Sequence, residues 1–240
     1  MAGRLIWCLG MYASASTWLF NVVRQIHLAR GDNDVQSHFV DGRANFGSIN
    51  RLTATNLVKS HEINDEATVI DLAADADRIF VSVRDPRDAV ASLMKYHGHE
   101  FDEALLLVDQ SLQLCKGFAA DRRTRLFRYE TRFFEAPHTI KIIASDLDIE
   151  LSENVCRTIF ESLSRKAVEK YISALPQKPG ILQNRASGDL LDPSTQWHTH
   201  HSGRNGEVGR WKTMLSEAQA HMVEGRLLKS VENVNFFEQK

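Results

Sequence analysis

No stretch of this chain is long and apolar enough to suggest a membrane span. The apolar run at the start is broken by Arg4, Gly10 and the hydroxyl residues from Ser14 to Thr17, which also makes a poor secretion signal. Charge of one sign is missing too: 29 basic against 31 acidic side chains leave a net charge of -2, without the basic footprint that broad nucleic-acid binding needs. Cysteine is scarce. Cys8, Cys115 and Cys156 are odd in number and widely spaced, which argues against a disulfide framework and for core packing in a reducing compartment. No repeat and no low-complexity tract is visible. The expectation is a cytoplasmic chain forming a single domain over 1–240, with neither nucleic acid nor membrane as partner.

What is present is an alternation of strands and helices. Leu5–Leu9 is a short apolar run of the buried-strand kind, and Ser16 opens a helical pattern through Val22, Val23 and Ile26. Between them lies a loop of small and hydroxyl residues. Strand, tight loop and helix N-terminus make a site for phosphate or sulfate, since free first-turn N–H groups and the positive helix end converge there. The same stretch also reads as an ordinary βα turn. It lacks the Walker A lysine, because Ser16 stands before Thr17.

Further along, 31–53 is polar and glycine-punctuated and reads as loop. Asn56–Val58 reads as a strand ending in Lys59, Ser60 and His61, and 66–72 as a helix. Arg78–Arg84 is the clearest strand, with Asp85 as cap and Pro86 at the first helical position. A long amphipathic helix covers 101–120, and Arg125–Glu130 reads as another strand. Helices fill 137–175, loop covers 177–202, and a last helix runs over 216–231. This order implies an α/β fold with a central parallel sheet, its ligands at the C-terminal strand ends.

Basic and hydroxyl groups gather at those ends: Lys59 with His61, Arg84 eight residues before Ser92, and a glycine-rich basic run from Gly203 to Lys212. Each also has an ordinary reading as a solvated lysine, a local ion pair of Arg84 with Asp85 or Asp88, or a surface turn. Taken in order, the segments MYASASTW (11–18), VKSHE (58–62), VRDPRDAVAS (83–92), LFRYE (126–130) and RNGEVGRWK (204–212) resemble the motifs of the cytosolic-type sulfotransferase family, whose loop is written YPKSGTTW and whose closing motif is RKGxxGxWK.

That resemblance implies a three-layer sandwich of the P-loop NTPase-like sulfotransferase fold, and 3′-phosphoadenosine 5′-phosphosulfate (PAPS) or its product PAP as nucleotide, without metal. It implies a loop of Ala13, Ser14, Ala15, Ser16 and Thr17 on the 5′-phosphosulfate, and Trp18 near the adenine. Arg84 and Ser92 would hold the 3′-phosphate, Tyr129 would touch the nucleotide, and Arg204, Asn205 and Gly206 would close over it. His61 would be the general base on a small-molecule hydroxyl or amine acceptor, and Lys59 would stabilise charge on the sulfuryl group. Three positions depart from the family. Ala13 replaces the loop cation, Ala15 a glycine and Asn205 a lysine, so turnover is expected to suffer more than binding unless Lys59 or another cation such as Arg87 substitutes. The alternatives are a PAP-binding protein with little catalysis and a kinase-like phosphotransferase. Phe39, Phe46, Tyr96, His97 and Trp197 are candidates for an acceptor pocket. His198, His200 and His201 read as loop residues rather than a metal cluster, there being no carboxylate at ligand-like spacing.

Overall fold

The computed structural model describes residues 3–32, 34–50, 55–185, 187–201 and 206–229. The chain runs β1 (Leu5–Gly10), α1 (Ser16–Arg30), β2 (Val35–Phe39), α2 (Arg43–Phe46), β3 (Thr55–Ser60), α3 (Glu66–Asp75), β4 (Arg78–Val83), α4 (Pro86–His97), α5 (Phe101–Phe118) and β5 (Thr124–Arg128). These strands form one parallel sheet in the order β2-β3-β1-β4-β5. Helices α6 (His138–Asp146), α7 (Glu153–Ser162) and α8 (Arg165–Ser173) follow. Then come a short antiparallel pair, β6 (Leu182–Gln183) and β7 (Leu190–Leu191), and helices α9 (Trp211–Met214) and α10 (Glu217–Val223).

The apolar runs explain the layers. A central parallel strand is buried on both faces, so its side chains alternate between two cores. Leu5, Trp7 and Leu9 of β1 enter one core, with Val58, Ile79 and Val81 and the helix residues Leu72, Ala89, Val90, Leu93, Leu105, Val108 and Leu112. Ile6 and Cys8 enter the other, with Leu57, Phe80, Leu19, Phe20, Val23, Ile140, Ile143 and Ile159. The result is the expected three-layer α/β sandwich. Among the described residues, no helix is long and apolar enough to cross a membrane.

Local expectations fared unevenly. Asp85 accepts from the Arg87 N–H with Pro86 in the first turn, and Ser152 caps α7. The 31–53 stretch, read as loop, holds edge strand β2 and short helix α2. The polar sequence VQSHF hides the strand because one neighbour and a half-buried environment suffice at an edge. Tyr129 and Glu130, read as strand, begin a 3₁₀ turn after β5 stops at Arg128. Loop 177–202 contains the β6–β7 pair and a 3₁₀ turn over Thr199–His201.

Candidate active site

Gly10 ends β1 where no side chain fits: an added Cβ would stand 2.4 Å from Ser16 Cβ and 2.6 Å from Ser82 Oγ. The following loop is pinned by the Met11 N–H donating to Ser82 O, by Ser14 Oγ donating to Met11 O (2.7 Å), and by a hydroxyl contact from Ser14 to Ser82 (2.8 Å). Ala13 and Ala15 take left-handed backbone at φ 58° and 64°. Left-handed turns in such a loop fold backbone N–H groups inward into an anion-binding concavity. No side chain caps α1, so its first-turn N–H groups remain for a ligand.

β3 delivers Lys59 and His61. The Lys59 ammonium, 3 % exposed, lies 3.0 Å from His61 Nε2 and 5.4 Å from the Phe39 ring centroid. His61 Nδ1 sits 2.7 Å from the Gly10 carbonyl, which can only accept, so Nδ1 carries the proton and Nε2 offers its lone pair to Lys59. Tyr12 stacks on the imidazole at 4.4 Å. Burial, partly offset by interaction with Cys8, pulls Lys59 down to about 8. Burial and then the Lys59 charge hold His61 well below its ordinary value, against the opposing hydrogen bond to Gly10. The pair therefore keeps a neutral imidazole beside an ammonium that releases its proton readily.

β4 ends in Arg84, whose guanidinium donates to Ala13 O (3.1 Å) and Glu207 O (2.6 Å) and stacks 4.1 Å over Tyr129. It joins the loop after β1 to the closing segment from Gly206. Its Nε is buried without a partner, an orphan donor that an anion would satisfy. Asp88, one turn along α4, stands 3.7 Å from Arg84 and accepts the Gly209 and Trp211 N–H groups (2.7 and 3.0 Å), which fixes the closing segment. Ser92 lines the same space from the next turn. Gly206, at φ 63°, lets the chain pass Tyr129: a Cβ there would be 3.2 Å from the phenol oxygen.

These groups line one cavity of about 480 Å³. Ala13, Ser14, Ala15, Ser16, Thr17, Trp18, Lys59, His61, Arg84, Ser92, Tyr129 and Gly206 all reach it; Arg204 and Asn205 lie outside the described residues. Trp18 also packs, donating to Leu163 O and meeting Phe133 edge-on. Of the acceptor-pocket candidates, Phe39, Tyr96, His97 and Trp197 line the cavity, whereas Phe46 is in the core. Arg87 is not a substitute cation for Ala13: it pairs with Asp85 and Glu224 and stacks on Trp211, away from the cavity. Sequence reasoning missed walls supplied by Phe134, Leu163 and Val168, whereas Arg210 belongs to the basic run it singled out. Nothing local marks the three, because the turn after β5, α7 and α8 reach the site only through the tertiary fold.

No protein-family model matches the sequence, and no curated protein does. Solved structures match in three dimensions. A mouse sulfotransferase, SULT7A1, complexed with PAP superposes with a TM-score of 0.64 at 15% identity, over 96% of this chain and 84% of that one. A retinol dehydratase in complex with androsterone and inactive cofactor PAP gives 0.66 at 15%, over 95% and 81%. A retinol dehydratase with retinol and PAP gives 0.66 at 13%, over 100% and 84%. From the central five-stranded parallel sheet to the loop that follows its first strand, the chain has the fold of PAP-bound sulfotransferases.

Proposed function

We propose that the chain is a sulfotransferase that uses PAPS and passes its sulfuryl group to a hydroxyl or amine of a small molecule. The observation that carries the reading is the convergence, on one cavity, of an uncapped helix N-terminus, a buried arginine with an orphan Nε and a paired lysine and histidine. Such a set fits a nucleotide carrying anions at both ends. The solved structures that share the fold were crystallised with PAP, which supports the same nucleotide here.

Bound PAPS supplies the sulfuryl group and leaves as PAP. The loop N–H groups and the hydroxyls of Ser14, Ser16 and Thr17 hold the 5′ end, and Arg84, Ser92 and Gly206 hold the 3′-phosphate. Trp18 and Tyr129 flank the base and sugar. Lys59 neutralises charge on the oxygens around sulfur. His61 accepts the proton of the acceptor hydroxyl while the acceptor oxygen bonds to sulfur and the bond from sulfur to the 5′-phosphate oxygen breaks. Lys59, which donates to His61 Nε2 in the resting chain, must turn away before that nitrogen can take a proton.

Calorimetric titration with PAP, against AMP and ATP with Mg²⁺, tests the nucleotide assignment. Micromolar binding of PAP that collapses in Arg84→Ala is expected. Equal affinity for PAP and AMP would overturn the 3′-phosphate assignment and the sulfotransferase reading with it. The second reading, a PAP-binding protein with little turnover, is favoured by one observation: Ala13, with no side-chain charge, stands where the family carries a cation. Release of PAP from PAPS across a panel of phenol and amine acceptors separates the two.

A further inference from the structure

The cavity is also lined by a group of histidines that the transfer chemistry does not use. The Leu191↔His198 bridge folds the segment after β7 back on the residues before it, so that Asp189 meets His198 and His200. Asp189 Oδ2 lies 2.6 Å from His198 Nδ1 and 2.9 Å from His200 Nδ1. Both imidazoles therefore address one oxygen of one carboxylate. The other oxygen is held by the Thr199 hydroxyl and by the His200 N–H (3.3 Å). One ligand atom from each of the three residues lies within 4.8 Å of the others. The side chains are 19 to 26 % exposed, sheltered yet open to entry. The His97 and His201 rings flank His200 at 4.4 and 4.5 Å.

We infer that Asp189, His198 and His200 form a site for a divalent transition-metal ion such as Zn²⁺ or Co²⁺. Imidazole nitrogen with one carboxylate oxygen is the donor set such ions take in three-ligand sites that keep a position open. Bonds of about 2.0–2.2 Å in a tetrahedral arrangement need donor separations of roughly 3.3–3.6 Å, so the two Nδ1 atoms, at 2.6 and 2.9 Å from Asp189 Oδ2, have to draw back by about 0.4–1 Å to admit an ion. The Thr199 hydroxyl and the His200 N–H orient the carboxylate from behind, as hydrogen-bonded neighbours do around metal ligands. Because His198 and His200 line the cavity, an ion there can take an oxygen or nitrogen ligand from a molecule bound inside. The class of molecule this favours is one that chelates, such as a catechol or a hydroxy acid. The inference does not depend on the sulfotransferase reading, since the metal can be titrated with no nucleotide or acceptor present.

The test uses the full chain without an affinity tag, stripped by chelator and then titrated with Co²⁺ and, separately, with Zn²⁺. One equivalent of Co²⁺ is expected to give the visible absorption of low-coordinate cobalt, and Zn²⁺ to displace it. Asp189→Asn and His200→Ala should each weaken binding by at least about 10- to 100-fold, while His221→Ala leaves it unchanged. Circular dichroism and urea unfolding of the same variants report whether they fold. His198→Ala serves as the second ligand variant if one of the others does not. Absence of stoichiometric binding in the micromolar range would overturn the site. So would binding that survives the ligand variants in folded protein, because the three residues would then be only a hydrogen-bonded cluster.

Discussion

Two alanines carry most of the tension in the loop after β1. Ala13 and Ala15 sit at φ 58° and 64°, where a Cβ costs roughly 1–2 kcal/mol that glycine avoids. Glycine gives back about 0.5–1 kcal/mol through the greater freedom of its unfolded chain. Ala15→Gly should therefore stabilise the protein by about 0.5–1 kcal/mol, read as a higher urea midpoint at unchanged slope. A lower midpoint would mean that the methyl group packs favourably enough to offset its strain. Ala13 poses a chemical question. The side chain at this position lines the cavity, and a lysine there would restore the charge found in the sulfotransferase loop motif that 11–18 resembles. If the proposed transfer occurs, Ala13→Lys should raise turnover by on the order of 10²- to 10³-fold with little change in PAP affinity. Unchanged turnover would show that Lys59 or Arg84 already supplies the charge.

At the scale of elements, α4 organises the site more than its length suggests. Its first turn carries Asp88, fully buried, which accepts two N–H groups of the segment that follows Gly206 and stands beside Arg84. Hydrogen bonds to a charged acceptor contribute about 1.5–3 kcal/mol each. Asp88→Asn removes the charge and turns one acceptor into a donor aimed at an N–H, so the closing segment should loosen. Hydrogen exchange at Gly209 and Trp211 is expected to speed up by about tenfold or more. The same variant should weaken PAP binding. Exchange as slow as in the parent chain would place the anchoring of this segment elsewhere. The elements most legible in the sequence were those with a local signature. These were the apolar strands β1 and β4, the Asp85–Pro86 start of α4 and the small-residue loop. β2 was not legible, because its burial comes from a single neighbouring strand rather than from its own pattern. The 3₁₀ turn at Tyr129 was not legible either, since an aromatic after an apolar strand looks the same whether the strand continues or stops.

Across the whole molecule the buried and half-buried histidines set a pH dependence. Burial holds His27, His38, His61 and His198 below the ordinary value of 6.5, in each case against a hydrogen bond that pulls the other way. The folded chain thus binds fewer protons than the unfolded chain at pH values between the lowered pKa values and 6.5. Stability is unaffected by these groups above 6.5 and falls as the pH drops below it, until the folded-state values are passed. Urea unfolding should give a lower midpoint at pH 5.5 than at pH 7.5. A flat or rising profile would contradict neutral burial of these rings.

Sequence by itself determined the alternation of strands and helices, the small-residue loop at Gly10–Thr17 and the strand-end positions of Lys59, His61 and Arg84. Those features follow from local periodicity, and from the rule that strand ends of a parallel sheet face one edge. Only the tertiary structure decided that Arg84 meets the backbone of Glu207, 123 residues away, that α7 and α8 wall the cavity, and that Asp189 joins His198 and His200. Each of these depends on crossovers and a turn that bring distant segments together, and a pairing of that kind leaves no period in the residues that make it. The metal-ligand reading shows the difference: spacing along the chain offered no carboxylate to the histidines, and the fold supplied one.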